Sequence, residues 1–166
     1  MSITVRTANA ADLPALRRVY RDSSLSNSGD RAALLAQPEF LVFAGDGIED
    51  GRTRVACAAG GRLVGFASTI PATAGETDRE LELEDLFVDP PWMRRGVATL
   101  LVLDAVARAQ RTGFRRITVT GNPHALAFYL AVGFVEVGRQ DTTLGQAAPR
   151  LHLELDPDLQ QNPDPD

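Results

Sequence analysis

The chain has 166 residues, 44% of them hydrophobic and 23% charged, proportions that argue for an ordinary globular domain and against a disordered or fibrous chain. A net charge of -5 without any run of Lys or Arg argues against a nucleic-acid partner, and no apolar stretch is long enough to span a bilayer. One domain with one core is expected over residues 1–156, followed by a Pro- and Asp-rich tail, residues 157–166, that is expected to fray.

The N-terminus Met-Ser-Ile-Thr-Val-Arg lacks the apolar run of a signal peptide, so a cytoplasmic location is expected. Residues 3–7 alternate as a strand does, after which Asp12 is placed to cap a helix whose apolar positions Leu13, Leu16, Val19 and Tyr20 follow helical spacing. The Ser/Asn/Gly stretch of residues 23–29 is expected to end it. A short helix over residues 31–37 stops before Pro38, and residues 45–51 carry loop chemistry. Residues 53–59 and 62–70 read as two strands joined at Gly60-Gly61, a pair that accepts positive φ at both turn positions. Cys57, the only cysteine, lies in the first of these strands; it has no second thiol to pair with and is expected to act as a small buried hydrophobe.

Beyond a polar loop at residues 73–79, Leu81-Glu82-Leu83-Glu84 alternates and runs into Leu86-Phe87-Val88, where Asp89-Pro90-Pro91 stops the strand. The helix over residues 97–112 places Ala98, Leu101, Val102, Ala105 and Ala109 on one face and Asp104, Arg108 and Arg111 on the other, with Gly113 as its C-terminal cap. Residues 116–120 form the next strand, parallel to residues 81–88 across a right-handed crossover. Asn122-Pro123 opens a last helix closed by Gly133, and residues 134–137 and 151–155 are expected to pair antiparallel.

The chemistry concentrates where the strand of residues 86–88 passes through Pro90-Pro91-Trp92-Met93 into Arg94-Arg95-Gly96 and the helix start Val97-Ala98-Thr99. First-turn N–H groups and the positive end of the helix dipole favour a phosphate, Gly96 lets backbone approach closely, and two arginines add charge. Each charge-assisted hydrogen bond of this kind contributes roughly 1.5–3 kcal/mol before the cost of association. Taken alone, an Arg-Arg-Gly start also suits a plain solvated connection.

Together with the later Asn122-Pro123-His124-Ala125-Leu126-Ala127-Phe128-Tyr129 and Gly133-Phe134, this segment resembles the GNAT N-acetyltransferase superfamily. In that family a strand ending in hydrophobic-x-Val-x-Pro leads to an (Arg/Gln)-x-x-Gly-x-(Gly/Ala) loop, and an Asn…Ala…Phe/Leu-Tyr…Gly-Phe helix follows the next strand. The likeness covers residues 3–155, with one departure: Met93 stands where the loop usually begins with Arg or Gln.

The resemblance implies an α+β fold with a mixed, mostly antiparallel sheet of six to seven strands, about four helices, and a parallel pair splayed into a V-shaped cleft. It implies acetyl-CoA as acyl donor, its pyrophosphate on Arg94, Arg95, Gly96, Val97, Ala98 and Thr99. The pantetheine arm would run along Leu86, Phe87 and Val88, with Asn122 and Phe128 meeting it from the other side. Tyr129 falls where many members hold the acid that protonates the departing thiolate, and a phenol of pKa about 10 suits a thiolate of pKa about 8.5. Glu82 and Glu84 are the candidate bases for the acceptor amine, whose deprotonation at neutral pH costs roughly 4 kcal/mol; each also reads as a solvated strand residue.

His124 is expected at the cleft rim or in solvent and His152 in a structural role, and two distant histidines with one cysteine make a catalytic metal improbable. The expected acceptor is an amine on a small molecule or peptide, attacked directly in a ternary complex, with no nucleic-acid or membrane partner and a possible homodimer. A non-catalytic acyl-CoA-binding domain is the alternative. A dinucleotide-binding protein is excluded because the chain lacks a Gly-x-Gly-x-x-Gly turn.

Overall fold

The computed structural model describes residues 2–72, 79–141 and 147–155. Residues 73–78 of the expected loop at 73–79, and the expected frayed tail, lie outside them. Seven strands, β1 (Thr4–Thr7), β2 (Thr53–Cys57), β3 (Leu63–Pro71), β4 (Glu80–Val88), β5 (Arg116–Thr120), β6 (Val135–Asp141) and β7 (Ala147–Glu154), follow the order β1-β2-β3-β4-β5-β7-β6. Four α-helices accompany them: α1 (Leu13–Leu25), α2 (Ser28–Ala36), α3 (Val97–Arg111) and α4 (Leu126–Ala131). The chain forms two compact units, the first of residues 1–68 and 85–102 and the second of residues 69–84 and 103–166.

In the first unit β1 and β3 flank β2 antiparallel. Gly60 and Gly61 have φ of +81° and +84°, the conformations the hairpin was expected to need, and Ala58 N–H donates to the Arg62 carbonyl at 2.8 Å. Leu16 and Val19 of α1 are fully buried with Val55 and Phe66. Tyr20, Phe43, Phe66 and Phe87 form an aromatic chain with neighbouring ring centroids 4.7 to 5.7 Å apart. Cys57 is buried in this core, as expected of a small hydrophobe.

Two local expectations are corrected. The N-terminal cap is Asn9: its Oδ1 accepts from Ala11 N–H at 3.0 Å, while the Asp12 carboxylate accepts from Asn9 N–H at 2.8 Å. Asp12 is thus the far member of a capping box, and the Arg6 guanidinium bound to it holds its carboxyl below the usual range. The second helix starts at Ser28 and not at residue 31, because the polar stretch that reads as a linker supplies its start: Asn27 is extended, and Asp30 sits in the first turn with its N–H on the Asn27 carbonyl at 3.0 Å.

Gly65 of β3 lies tight against β4 and α3. A Cβ there would lie 2.9 Å from Val97 Cγ1, 3.0 Å from the Phe87 carbonyl oxygen and 3.3 Å from Leu101 Cδ1. Gly65→Ala is expected to destabilise the protein by about 1–3 kcal/mol, through overpacking against a backbone atom that has nowhere to relax. Urea unfolding would read the loss as a lower midpoint at unchanged slope.

In the second unit β4 and β5 pair parallel from Glu80↔Arg116 to Leu83↔Val119, and the ladder ends there although β4 continues to Val88. This is the expected parallel pair. On α3, Leu101, Val102, Ala105 and Ala109 are buried as the spacing predicts, whereas Ala98 is only half-buried. Gly113 has φ +86°, its N–H reaching the Gln110 carbonyl at 3.2 Å and that of Phe114 the Ala109 carbonyl at 3.0 Å, the expected cap.

The last two strands do pair antiparallel, but β7 inserts between β5 and β6. The more apolar strand takes the inner place: Leu151 is fully buried, while every residue of β6 is exposed. β6 runs to Asp141 and β7 begins at Ala147; residues 142–146 lie outside the described part.

Candidate active site

The first unit holds the loop between β4 and α3. Val88 and Asp89 are buried, Leu86 and Phe87 half-buried, and the turn Pro90–Trp92 leads to Arg94, Arg95 and Gly96, all exposed. Arg94 has φ +63°, the sole positive φ among the described residues other than glycine, and Gly96 has φ +85°. Left-handed backbone in a non-glycine residue costs about 1–3 kcal/mol and persists where the surroundings impose it. The Gly96 carbonyl accepts from Leu100 N–H at 3.0 Å, so the helical ladder opens here. The N–H groups of Val97, Ala98 and Thr99 therefore have no acceptor within the helix. The position a Cβ on Gly96 would occupy has no atom within 4 Å. A bent, exposed run of backbone donors beside two guanidinium groups is a fit for a diphosphate. Arg95 lies over the Trp92 ring, 5.1 Å from its centroid, which stiffens the approach to the loop. Met93 is 36% exposed, and its departure from the family pattern leaves the backbone donors intact.

The loop is anchored from below by a residue the sequence reading passed over. Asp89 is 2% exposed, and its Oδ2 accepts from Arg18 Nη1 at 2.9 Å and Arg62 Nη2 at 3.2 Å. Its N–H donates to the Val64 carbonyl and its carbonyl accepts from Trp92 N–H, both at 2.8 Å. The signal that points to it is an acid between a buried strand and two prolines, where an unpaired carboxylate has no tolerable place.

In the second unit Asn122 caps the last helix, its Oδ1 accepting from His124 N–H at 2.9 Å. Tyr129 is buried, with ring centroids of Phe128 and Phe134 at 5.2 and 5.4 Å. A Cβ on Gly121 would lie 3.2 Å from the Tyr129 ring, so the glycine leaves that ring its place. Burial pushes the phenol well above its ordinary pKa. Phe128 is half-buried and His124 exposed.

Glu82 and Glu84 differ. The Glu82 carboxylate accepts from Arg150 Nη1 at 3.1 Å, and the same Nη1 donates to Thr120 Oγ1 at 2.7 Å; Glu84 is exposed at the point where the parallel ladder has ended. His152 is half-buried, and burial together with the nearby Arg116 holds its imidazole below the usual value and so neutral at pH 7. No group of three or more His, Cys, Asp or Glu among the described residues is arranged to hold a metal ion, and none of their helices is long and apolar enough to cross a membrane.

The fold is shared with solved acetyltransferases. A GCN5-related N-acetyltransferase from Rhodopseudomonas palustris superposes with a TM-score of 0.72 at 20% identity, covering 93% of this chain and 97% of that one. The PaiA N-acetyltransferase from Thermoplasma acidophilum, solved with coenzyme A, gives 0.68 at 20% identity over 93% and 99% of the two chains. A phosphinothricin acetyltransferase from Sinorhizobium meliloti, solved with acetyl-CoA, gives 0.69 at 22% identity over 93% and 89%. None of the curated proteins matches the sequence. The model of the acetyltransferase (GNAT) family matches residues 14–134, and with that match over most of its length the chain belongs to the GNAT acetyltransferase family.

Proposed function

We propose that the protein transfers an acetyl group from acetyl-CoA to an amine by direct attack in a ternary complex. The observation that carries this reading is the loop ahead of α3, where left-handed Arg94 and Gly96 bend an exposed backbone into the first turn of a helix. Arg94 to Thr99 would hold the pyrophosphate, and the strand backbone of Leu86, Phe87 and Val88 would run beside the pantetheine amides. Asn122 and Phe128 are proposed as further contacts of the arm. Acetyl-CoA supplies the thioester. Tyr129 would return a proton to the sulfur as the thiolate leaves. Glu84 or Glu82 would assist deprotonation of the amine, directly or through a water; Glu82 does so from its pair with Arg150. The single buried cysteine is not placed on any of these segments, which favours direct transfer over an acyl-enzyme.

Titration calorimetry with coenzyme A is the decisive measurement. Saturable binding at or below millimolar concentration is expected, weakened by added salt because much of the contact is ionic. A folded protein that ignores millimolar coenzyme A would overturn the reading and the residue roles with it.

A further inference from the structure

The geometry points to an acceptor site for a zwitterion, an amine with a carboxylate on the adjacent carbon, on the polar face shared by β4, β5 and β7; this rests on the proposed acetyl transfer. Register sets the residues in rows: Glu80, Arg116 and Glu154 are cross-strand partners, then Glu82, Thr118 and His152, then Thr120 and Arg150. The first row satisfies itself, because Arg116 donates to both Glu80 and Glu154. The other two do not.

Arg150 bonds its cross-strand partner Thr120 and, diagonally, Glu82, and both bonds leave from Nη1. Among the described residues its Nη2 and Nε–H donors bond no other group, and they present the fork geometry that suits a carboxylate. Thr118 lies between Glu82 and His152, is 1% exposed, and its Oγ1 is the one buried side-chain polar atom without a hydrogen-bond partner among the described residues. An orphaned buried hydroxyl beside this pair is a cost that a bound polar group removes.

The Glu82–Arg150 pair is a charge template. Both side chains are about one-third exposed or less, at 35% and 26%, so a ligand can reach them and exchange with their internal bond. A zwitterion replaces that bond by two, its ammonium on Glu82 and its carboxylate on Arg150, and no charge is left unpaired. A simple amine would take Glu82 and strand the guanidinium; a dianion would do the reverse. Charge matching of this kind selects the amine with an adjacent carboxylate and disfavours both rivals.

The test assays coenzyme A release from acetyl-CoA with the full chain, the twenty amino acids and their α-carboxamides. At least one amino acid is expected to show a KM ten-fold or more below that of its carboxamide. Arg150→Gln should raise the KM of the acid at least ten-fold and bring the acid-to-amide ratio close to one, and Arg150→Lys should recover part of the preference. Should Arg150→Gln fold poorly, Thr118→Val serves instead: it is expected to leave the melting temperature unchanged or raised, since it removes an unpaired hydroxyl, and to raise the KM of the acid several-fold. Carboxamides that react as well as the acids, or a protein that binds coenzyme A and acetylates no amino acid, would overturn the proposal while leaving acyl transfer standing. Absence of coenzyme A binding in calorimetry would instead strike the acetyltransferase reading itself.

Discussion

Replacing Tyr129 by phenylalanine is expected to lower kcat by roughly 10²–10⁴-fold, the range over which a positioned acid acts, while leaving coenzyme A affinity nearly unchanged. The substitution keeps the ring that packs between Phe128 and Phe134 and over Gly121, so little stability should be lost. Only the proton goes. Burial raises the phenol's pKa, so the group holds its proton, ready to donate, throughout the neutral range. The sign for pH follows directly. A group whose folded pKa lies above its unfolded value of about 10 keeps its proton, and its full contribution to stability, below pH 10 and loses that contribution as pH climbs further. The alkaline limb of the rate profile should therefore show no ionisation near pH 10 from this tyrosine. A Tyr129→Phe enzyme that releases coenzyme A as fast as the parent would remove the residue from the mechanism.

Asp89→Ala is expected to cost about 2 kcal/mol of stability and to weaken coenzyme A binding in the same variant. Deleting one partner of a fully buried ion pair typically costs about 3–5 kcal/mol. Here the two guanidinium side chains are 37% and 57% exposed and can turn to water, so the smaller figure applies. For a chain of this length that corresponds to a melting temperature lower by roughly 4–8 °C. Affinity should fall because the Asp89 carboxylate, held by Arg18 and Arg62, fixes the exit of β4 that leads to the strained Arg94. Arg62→Ala, at the more exposed partner, should cost less than Arg18→Ala, whose side chain also donates to the Leu63 carbonyl at 3.0 Å. Melting of Asp89→Ala within about one degree of the parent would show the anchor to be idle.

Local pattern carries far in this chain. Gly60-Gly61 reads as a turn with positive φ and is one, the α3 stripe of Leu101, Val102, Ala105 and Ala109 is buried as spacing demands, and Gly113 caps where it should. These features depend on neighbours within a few residues, so the sequence alone contains their cause. The starts of the first two helices depart from the local pattern for the opposite reason: Asn9, Asp12, Asn27 and Ser28 are all capable caps, and which one serves depends on where tertiary contacts such as Arg6 with Asp12 bind the chain.

By itself, then, the sequence determined the family, the α+β class, the parallel pair and the loop of Arg94 to Thr99, because each rests on short-range periodicity or on a contiguous motif. Only the tertiary structure decided that β7 lies inside β6, that Asp89 is clamped by Arg18 and Arg62, that Arg150 holds Glu82, and that Thr118 is buried with no hydrogen-bond partner among the described residues. Those residues stand between 27 and 71 positions apart where they bond. No periodicity of 2 or 3.6 residues encodes such a meeting; it follows from strand order and register, which are settled by burying the most apolar strands together.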